Sequence, residues 1–172
     1  RRALLGVPKK NGKTELAAAI ALYETMGGKE PQPEVYVAAN SDDQANLVFG
    51  AAAEMVRLSP TLSQVAQKFS SSITVPRMAG SITRLSSKAK TKDGLNVHLA
   101  VFDEFHEFDE AGEQLYTVIS NGVGARVEPL ILCITTAGFD LDSVCGRMYQ
   151  HGLKVQSGEV QDPTFLFRWY GA

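Results

Sequence analysis

The stretch Val7-Pro8-Lys9-Lys10-Asn11-Gly12-Lys13-Thr14 organises this sequence. It follows an apolar run, Ala3-Leu4-Leu5-Gly6-Val7, and precedes a segment of helical character from Glu15 to Met26. A strand, a loop ending in Gly-Lys-Thr and a helix are the layout of a phosphate-binding P-loop, in which backbone N–H groups surround anionic phosphates. Lys13 would add a charge beside the β and γ oxygens, and Thr14 would offer a hydroxyl to Mg²⁺.

The loop departs from the usual P-loop pattern at its start. That pattern places a glycine five positions before Gly12, where this sequence has Val7, and Gly6 stands one residue earlier. A basic turn that caps a helix would contain the same residue types, so this motif alone leaves both interpretations open. On the P-loop interpretation, the nucleotide-binding residues are Lys9, Lys10, Asn11, Gly12, Lys13 and Thr14.

A second stretch, Leu99 to Glu104, favours the nucleotide interpretation. It consists of apolar residues followed by two carboxylates, and such a run is typical of a central strand in a parallel sheet. Ligands of these sheets bind at the carboxyl ends of the strands. Asp103 would therefore hold Mg²⁺, directly or through water, and Glu104 would be the catalytic base for the water that attacks the γ-phosphate. A strand that ends in solvated acids is the alternative for this run alone.

The composition is that of an ordinary globular domain. The chain has 172 residues, 44% of them hydrophobic and 21% charged, which fits one domain with a substantial core. A net charge of −2 provides no global basic field, so any DNA contact has to be local. Cys133 and Cys145 have no metal-ligand spacing and predict reduced thiols in a cytosolic setting. No signal peptide and no run long enough to span a membrane is visible, so no membrane partner is expected.

Strands and helices are predicted to alternate along the remaining sequence. Val35 to Ala39 is a second buried strand, and Asn40 to Asp43 supplies N-cap residues for a helix from about Gln44 to Leu58. The predicted core face of that helix comprises Leu47, Val48, Ala51, Met55 and Leu58. Alternating polar and apolar residues over Ser70 to Arg84 predict a hairpin or two edge strands.

Two segments near the second motif carry further polar residues. Pro129 to Thr135 is predicted to be a buried strand that ends in Thr135-Thr136-Ala137-Gly138. Two hydroxyls at that strand end could sense the γ-phosphate or its attacking water, and an ordinary polar strand end is the alternative. His106 is interpreted as a packing or hydrogen-bonding histidine, because no metal-ligand spacing accompanies it.

This order of elements predicts an α/β fold with a mostly parallel sheet flanked by helices. An additional strand between the strand of the loop and the strand of Asp103-Glu104, together with Glu104 itself, indicates the additional-strand ATPase class of P-loop NTPases. The sequence contains no Asn-Lys-x-Asp motif, and no Asp-x-x-Gly follows Val101-Phe102, which argues against a GTP switch. The expected ligand is ATP with Mg²⁺.

Three motifs together resemble the ATPase domain of tailed-phage terminase large subunits. They are Val7 to Thr14, Val101-Phe102-Asp103-Glu104 and Ile134-Thr135-Thr136-Ala137-Gly138. A missing first glycine is typical of that family, as is a basic residue four positions before the invariant lysine, which corresponds to Lys9. The approach from Gly124 to Pro129 is also similar, and the resemblance covers nearly the whole chain.

The resemblance implies roles for individual residues. Lys9 and Lys13 would join Glu104 as catalytic residues. Thr135, Thr136 and Gly138 would form the segment that couples hydrolysis to DNA movement. Many relatives also have an arginine just before the Asp-Glu strand that reaches the neighbouring subunit's site, where this sequence has Lys90-Thr91-Lys92-Asp93-Gly94. The candidate donors to a neighbouring site are Lys92, Arg84 and Arg126, although lysine lacks the planar fork of arginine.

The resemblance further implies a DNA-packaging motor. ATPases of this family assemble as a homo-oligomeric ring on the portal protein of an empty capsid, work with a small terminase subunit and pump double-stranded DNA inward, in the host cytoplasm during virion assembly. Residues 1–172 would be a single P-loop ATPase domain, truncated at the N-terminus, and the family's C-terminal nuclease domain is expected to be absent from this chain. Two other classes stay open: a helicase-like, nucleic-acid-stimulated ATPase, and a nucleotide-binding docking module without turnover.

Overall fold

Strands and helices alternate along the chain in the order that the sequence predicts. The computed structural model describes residues 1–86, 94–138 and 140–170. The strands are β1 (Arg2–Gly6), β2 (Glu34–Ala39), β3 (Gln67–Lys68), β4 (Ser72–Val75), β5 (Gly80–Ser86), β6 (Val97–Phe102), β7 (Leu130–Thr135) and β8 (Phe165–Trp169). The helices are α1 (Lys13–Met26), α2 (Asp42–Leu58), α3 (Pro60–Val65), α4 (Glu110–Asn121) and α5 (Val144–Gln156).

The strands form one mostly parallel sheet in the order β3-β4-β5-β2-β6-β7-β1-β8. All pairs from β5 to β8 are parallel, and only β3 and β4, at one edge, pair antiparallel. β7 lies between β1 and β6. The predicted α/β class and the additional strand between the two motif strands are therefore confirmed.

Two apolar layers cover the sheet, one on each face. On one face, α1 and α2 pack against residues that include Val37 and Val101. On the other face, α4 and α5 pack against residues that include Phe102 and Cys133. The apolar runs of β2 and β6 are continuous because both faces of these central strands are buried.

Capping side chains define where several helices begin. Ser41, Ser59, Asp109 and Ser143 each accept a hydrogen bond from the backbone N–H three residues further along, which satisfies a donor that the first helical turn leaves unpaired. The short helix α3, which the sequence analysis does not predict, begins with Pro60 directly after the Ser59 cap. Among the described residues, no helix is long and apolar enough to cross a membrane.

The core face of α2 differs from the predicted one. Its buried residues are Ala45, Val48, Phe49, Ala52, Ala53 and Val56, whereas Leu47 and Leu58 are exposed. Alanines on the packed stripe let α2 approach α1 and the sheet closely, so the larger leucines lie on the outer side.

The predicted hairpin is present, but only one of its strands lies near the sheet edge. β4 and β5 pair antiparallel, and β5 also pairs in parallel with β2. β5 is therefore an internal strand, and the two-residue strand β3 forms the edge. The alternation of polar and apolar residues in β5 does not distinguish these positions, because its polar side chains lie beside α2 rather than in open solvent.

Candidate active site

The carboxyl ends of β1, β6 and β7 meet along one side of the sheet, which we call the carboxyl edge. The helices that follow β1 and β7 leave toward opposite faces, which opens a crevice between these neighbouring strands. Backbone hydrogen bonds hold the edge together: Val7 N donates to Thr135 O at 2.9 Å, and Asp103 N donates to Ala38 O at 3.0 Å. All three sequence motifs therefore reach the same crevice.

The loop between β1 and α1 is exposed and tightly turned. Lys10 and Gly12 both have left-handed backbone conformations, with φ of 65° and 69°, and glycine adopts this conformation without strain. Asn11 Nδ2 donates to the carbonyl oxygens of Pro8 at 3.3 Å and Lys9 at 3.1 Å, which closes the turn. The loop thus presents its backbone and two lysines at the start of α1, where the helix N-terminus favours an anion.

Gly6, one residue before this loop, is required by packing. A Cβ at this position would lie 2.1 Å from Cε3 of Trp169, and the backbone N–H of Tyr170 donates to Gly6 O at 2.8 Å. The Trp169 ring therefore lies against the end of β1 where no side chain fits. The glycine that stands one position early in the motif serves the contact between β1 and β8.

Lys13 and Glu104 form an ion pair across the crevice. Nζ of Lys13 contacts Oε1 of Glu104, and the two side chains are only 9% and 20% exposed. Lys13 is the first residue of α1, and Glu104 follows β6 after one intervening aspartate. The fold thus brings into direct contact the two motifs that are far apart in the sequence.

Asp103 is buried beside this pair. It is 1% exposed, and its Oδ1 accepts a hydrogen bond from Glu104 N at 3.0 Å. Burial raises the pKa of Asp103 to about 6; the backbone hydrogen bond lowers this pKa, the Glu104 carboxylate raises it, and Lys13 lowers it. A buried carboxylate of this kind is a candidate cation ligand, because a divalent ion would favour its charged form.

The oxygen atoms of Asp103 and Thr14 fit Mg²⁺. Thr14 is half-buried in the first turn of α1. Within the described ranges, no group of three or more His, Cys, Asp or Glu residues could hold a metal ion. One carboxylate and one hydroxyl suit Mg²⁺, which keeps several waters and takes further ligands from nucleotide phosphates.

Glu104 has an unusual backbone conformation. Its φ and ψ are both 47°, in the left-handed region that a residue with a side chain adopts at an energetic cost. This conformation turns the chain from β6 into a single 3₁₀ turn, Phe105–Glu107. Oε2 of Glu104 is buried without a hydrogen-bond partner in the described part of the chain, and it lies 3.5 Å from Nδ1 of His106.

His106 connects that turn to the end of β7. Its backbone N–H donates to Thr135 Oγ1 at 3.2 Å, and its Nδ1 lies 2.9 Å from the same oxygen. Its Nε2 lies 3.4 Å from Oγ1 of Thr136. A Cβ at Gly138 would lie 2.9 Å from Cβ of His106. The predicted coupling segment therefore packs directly on the turn that carries Glu104.

Arg126 lies at the opposite side of the sheet, which we call the amino edge. Its side chain is 6% exposed and pairs with Glu30 at 3.2 Å. The guanidinium also donates to the backbone carbonyls of Pro31, Gln32 and Asn96. Because these contacts engage all three guanidinium nitrogens away from the crevice, they argue against Arg126 as a donor to a neighbouring site. We correct its role to that of a structural residue.

The other two candidate donors have different standings. Arg84 lies in β5, and its Nη1 donates to Oδ1 of Asn46 at 2.6 Å. The strands β2, β6 and β7 separate β5 from β1, so Arg84 is not brought to the Lys13–Glu104 pair of its own chain. Lys92 lies outside the described residues.

Comparison with protein families gives one match over nearly the whole chain. The model of the family described as "Terminase large subunit, ATPase domain" matches residues 1–152. The chain belongs to this family. The confirmed α/β fold agrees with this membership, because solved terminase ATPase domains have the same architecture.

Two curated proteins are similar to this terminase domain in sequence. The large terminase subunit of Enterobacteria phage HK97 is 31% identical over 137 residues, which cover 78% of this chain and 27% of that protein. Protein YmfN of Escherichia coli K12 is 33% identical over 108 residues, which cover 59% of this chain and 23% of that protein. The terminase domain described here thus spans about a quarter of the length of these relatives.

Solved structures of large terminases share the fold. The crystal structure of the HK97 large terminase superposes with a TM-score of 0.82 at 28% identity and covers 98% of this chain and 35% of that one. The ATPase domain of the Thermus phage P74-26 large terminase gives a TM-score of 0.76 at 16% identity, over 99% of this chain and 75% of that one. The large terminase of another thermophilic bacteriophage, solved in complex with ADP, gives 0.66 at 12% identity, over 98% and 40%.

Two features of this terminase domain were not found by sequence reasoning. The sequence analysis assigned His106 a packing or hydrogen-bonding role, and only its position two residues after Glu104 hinted at more. The contact between Gly6 and Trp169 left no signal, because Trp169 lies at the far end of the chain.

Proposed function

We propose that this chain is the ATP-hydrolysing motor domain of a DNA-packaging terminase. The observation that carries the proposal is the contact between Lys13, at the start of α1, and Glu104, at the end of β6. It places a phosphate-binding lysine and a candidate base in one crevice, beside the buried Asp103. Membership of the terminase ATPase family, with one relative solved in complex with ADP, supports ATP as the nucleotide.

The Lys13–Glu104 pair implies an exchange of partners when ATP binds. The phosphates carry more negative charge than one carboxylate, so Lys13 leaves Glu104 for the β and γ oxygens. Backbone N–H groups from Lys9 to Thr14 hold the same phosphates. Glu104, released from the lysine, accepts a proton from the attacking water. Lys9, exposed on the loop, completes the positive charge around the γ-phosphate at hydrolysis.

Mg²⁺ would be held by Asp103 and the hydroxyl of Thr14. When bound, it would neutralise charge on the transferring phosphoryl group. Asp103 is kept in place for this role by the hydrogen bond from Glu104 N. The same bond links the residue that would hold the metal to the residue that acts as the base.

Coupling to DNA is assigned to the segment that follows β7. Thr135, Thr136 and Gly138 contact the turn that carries Glu104, which supports a role in relating hydrolysis to DNA movement. In a homo-oligomeric ring, Lys92 or Arg84 would serve the neighbouring subunit's site. The remaining partners follow the family: double-stranded DNA, the portal protein and a small terminase subunit, in the host cytoplasm. Any endonuclease activity would belong to a further domain of the full-length protein.

The substitution Glu104→Gln tests the proposal. Glutamine has nearly the same shape as glutamate but accepts no proton at neutral pH, so Mg²⁺-ATP binding survives while single-turnover hydrolysis falls by roughly 10²–10⁴-fold. Asp103→Asn should instead weaken binding of the Mg²⁺ complex as well. The measurements are a nucleotide titration and a single-turnover assay, made on the full natural protein that contains this chain. Hydrolysis by Glu104→Gln at the parent rate would show that Glu104 is not the base.

The same preparation separates the proposed motor from its rivals. A packaging motor moves DNA into procapsids in an ATP-dependent way, whereas a helicase-like ATPase separates strands without filling procapsids. A docking module binds nucleotide and leaves it intact. Translocation into procapsids by the parent protein, lost in Glu104→Gln, is the outcome that the proposal requires.

A further inference from the structure

We infer that His106 is a positioning residue that holds Glu104 in place for hydrolysis and ties it to the end of β7. The inference rests on the proposed function, because it assigns a role in ATP hydrolysis to a residue that contacts the base rather than the nucleotide. Its starting observation is the place of the imidazole between two segments: Nδ1 lies 2.9 Å from Thr135 Oγ1 and 3.5 Å from Glu104 Oε2.

The hydrogen bonds of Thr135 determine which imidazole nitrogen carries a proton. Oγ1 of Thr135 donates its single hydrogen to the carbonyl oxygen of Thr136 at 2.8 Å. The same oxygen can therefore only accept from His106 Nδ1, so Nδ1 carries a hydrogen. That hydrogen points to the side where Oε2 of Glu104 lies, and the imidazole is oriented as a donor toward the carboxylate.

The two carboxylate oxygens of Glu104 have different surroundings. Oε1 contacts Lys13, and Oε2 is buried without a hydrogen bond to any residue that the structure describes. Once phosphates take Lys13, the imidazole of His106 is the polar group that remains beside Glu104. A displacement of a few tenths of an ångström would turn the 3.5 Å approach into a hydrogen bond. His106 can therefore orient the carboxylate at the stage when it has to act.

The imidazole is held firmly enough to do this. Before it, Phe105 is fully buried and packs against Phe102 and Phe108 with ring centroids 5.8 and 5.2 Å apart. After it, the carboxylate of Glu107 contacts the side-chain amide of Gln44. The turn is thus anchored to the core on one side and to α2 on the other.

The contact with β7 makes His106 a mechanical link as well. Gly138 approaches so closely that a Cβ would lie 2.9 Å from Cβ of His106, and Thr136 Oγ1 lies 3.4 Å from Nε2. A shift of residues 135–138 would therefore move the imidazole, and with it the group that orients Glu104. This arrangement gives the end of β7 a direct route to the catalytic base.

Substitution of His106 in the full natural protein tests the inference. We expect His106→Ala to slow single-turnover ATP hydrolysis by about 10- to 100-fold, the usual effect of losing a group that orients a catalytic residue. Affinity for the slowly hydrolysed analogue ATPγS should stay within about twofold, because His106 is not among the phosphate-binding residues. His151→Ala is the matched control: this histidine pairs with Asp162 at 3.0 Å in α5, and its loss should leave the rate unchanged.

Conservative variants distinguish positioning from a general packing role. The amide nitrogen of Asn reaches the place of Nδ1, whereas that of Gln reaches the place of Nε2, so His106→Asn should recover more of the rate than His106→Gln. Thr135→Val removes the accepting hydroxyl at nearly constant shape. The double variant His106→Ala/Thr135→Val should be no slower than the slower single variant, because both remove one contact.

Each outcome decides between two failures. If the parent protein hydrolyses ATP and His106→Ala does so at the same rate, or if the losses of the two single variants multiply in the double variant, the inference is overturned and the proposed function stands. If ATPγS affinity falls in step with the rate, His106 supports binding or folding and does not position the base. If the parent protein hydrolyses no ATP, the proposed function fails and the inference fails with it.

Discussion

The two edges of the parallel sheet both bury an ion pair, and they do so in opposite ways. At the amino edge, the guanidinium of Arg126 pairs with Glu30 and also donates to three backbone carbonyls. At the carboxyl edge, Lys13 contacts one oxygen of Glu104, whose other oxygen has no hydrogen bond among the described residues. The first pair is complete as it stands, whereas the second leaves polar capacity unused.

Backbone conformation and charge follow the same division. Glu104 and Lys10, both at the carboxyl edge, have positive φ, and Asp103 is a buried carboxylate whose pKa is raised. Strain and unsatisfied charge reduce stability unless a ligand compensates for them. The comparison therefore indicates that the amino edge stabilises the fold, while the carboxyl edge is arranged for an anionic ligand with a cation.

The largest expected effect comes from removing the lysine of the carboxyl edge. Lys13→Ala deletes the charge proposed for the β and γ phosphates, so kcat/KM for ATP should fall by about 10³-fold or more, with little change in the melting temperature because Glu104 retains partial contact with water. Steady-state hydrolysis and thermal unfolding measure the two quantities. Lys154→Ala, on the surface of α5, is the control and should match the parent. Retained turnover in Lys13→Ala would reject the assignment of the loop.

The amino edge should respond in the reverse manner. Arg126→Met leaves Glu30 and three carbonyl oxygens without their partner, so the free energy of unfolding should fall by roughly 3–5 kcal/mol, while nucleotide affinity of the folded protein stays unchanged. Urea denaturation measures the first quantity and ATPγS titration the second. The exposed pair of Arg147 with Glu113 provides a control, for which Arg147→Met should change stability by less than about 1 kcal/mol.

A second substitution sharpens the result at the amino edge. If Arg126 stabilises the fold partly by pairing with Glu30, adding Glu30→Gln to Arg126→Met should restore part of the lost stability, because no buried charge is then left alone. A loss of hydrolysis in Arg126→Met that exceeds its loss of folded protein would contradict the division of roles between the two edges.

The smallest effect concerns the buried carboxylate of the carboxyl edge. The pKa of Asp103 is about 6 in the folded chain against an ordinary value of 3.8, so the folded state holds its proton more tightly than the unfolded state. Ionisation of Asp103 therefore lowers stability as the pH rises from about 4 to 6, and the full penalty is present above pH 6. Asp103→Asn removes this penalty and should stabilise the protein without nucleotide and Mg²⁺ at pH 7 by up to roughly 3 kcal/mol.

Urea denaturation between pH 4 and pH 8 checks this sign. The advantage of Asp103→Asn over the parent should be absent near pH 4, grow toward pH 6 and then remain constant. An advantage that does not depend on pH would show that ionisation of Asp103 is not its cause. Addition of Mg²⁺ and ATPγS should reverse the order, because the parent alone then has the charged ligand.

Local sequence determined the elements and the residues of the carboxyl edge. The strand, loop and helix around Gly12-Lys13-Thr14, the apolar run before Asp103 and the strand before Thr135 are each visible in a short window, because hydrophobic periodicity and capping act between residues close in the chain. Their convergence also followed from sequence, since the carboxyl ends of parallel strands lie at the same edge. That the chain is α/β with an additional strand needed no further information.

Tertiary structure decided which of these residues touch and which way the helices face. Arg126 precedes β7, and residues before a parallel strand lie at the amino edge, yet only the contacts with Glu30 and three loop carbonyls show that its donors are engaged there. The face of α2 that packs was set by close approach to the sheet, which favoured alanine over Leu47 and Leu58. The link from Glu104 through His106 to Thr135 joins side chains from separate strands, and its distances depend on how the strands pack, which no local window of sequence contains.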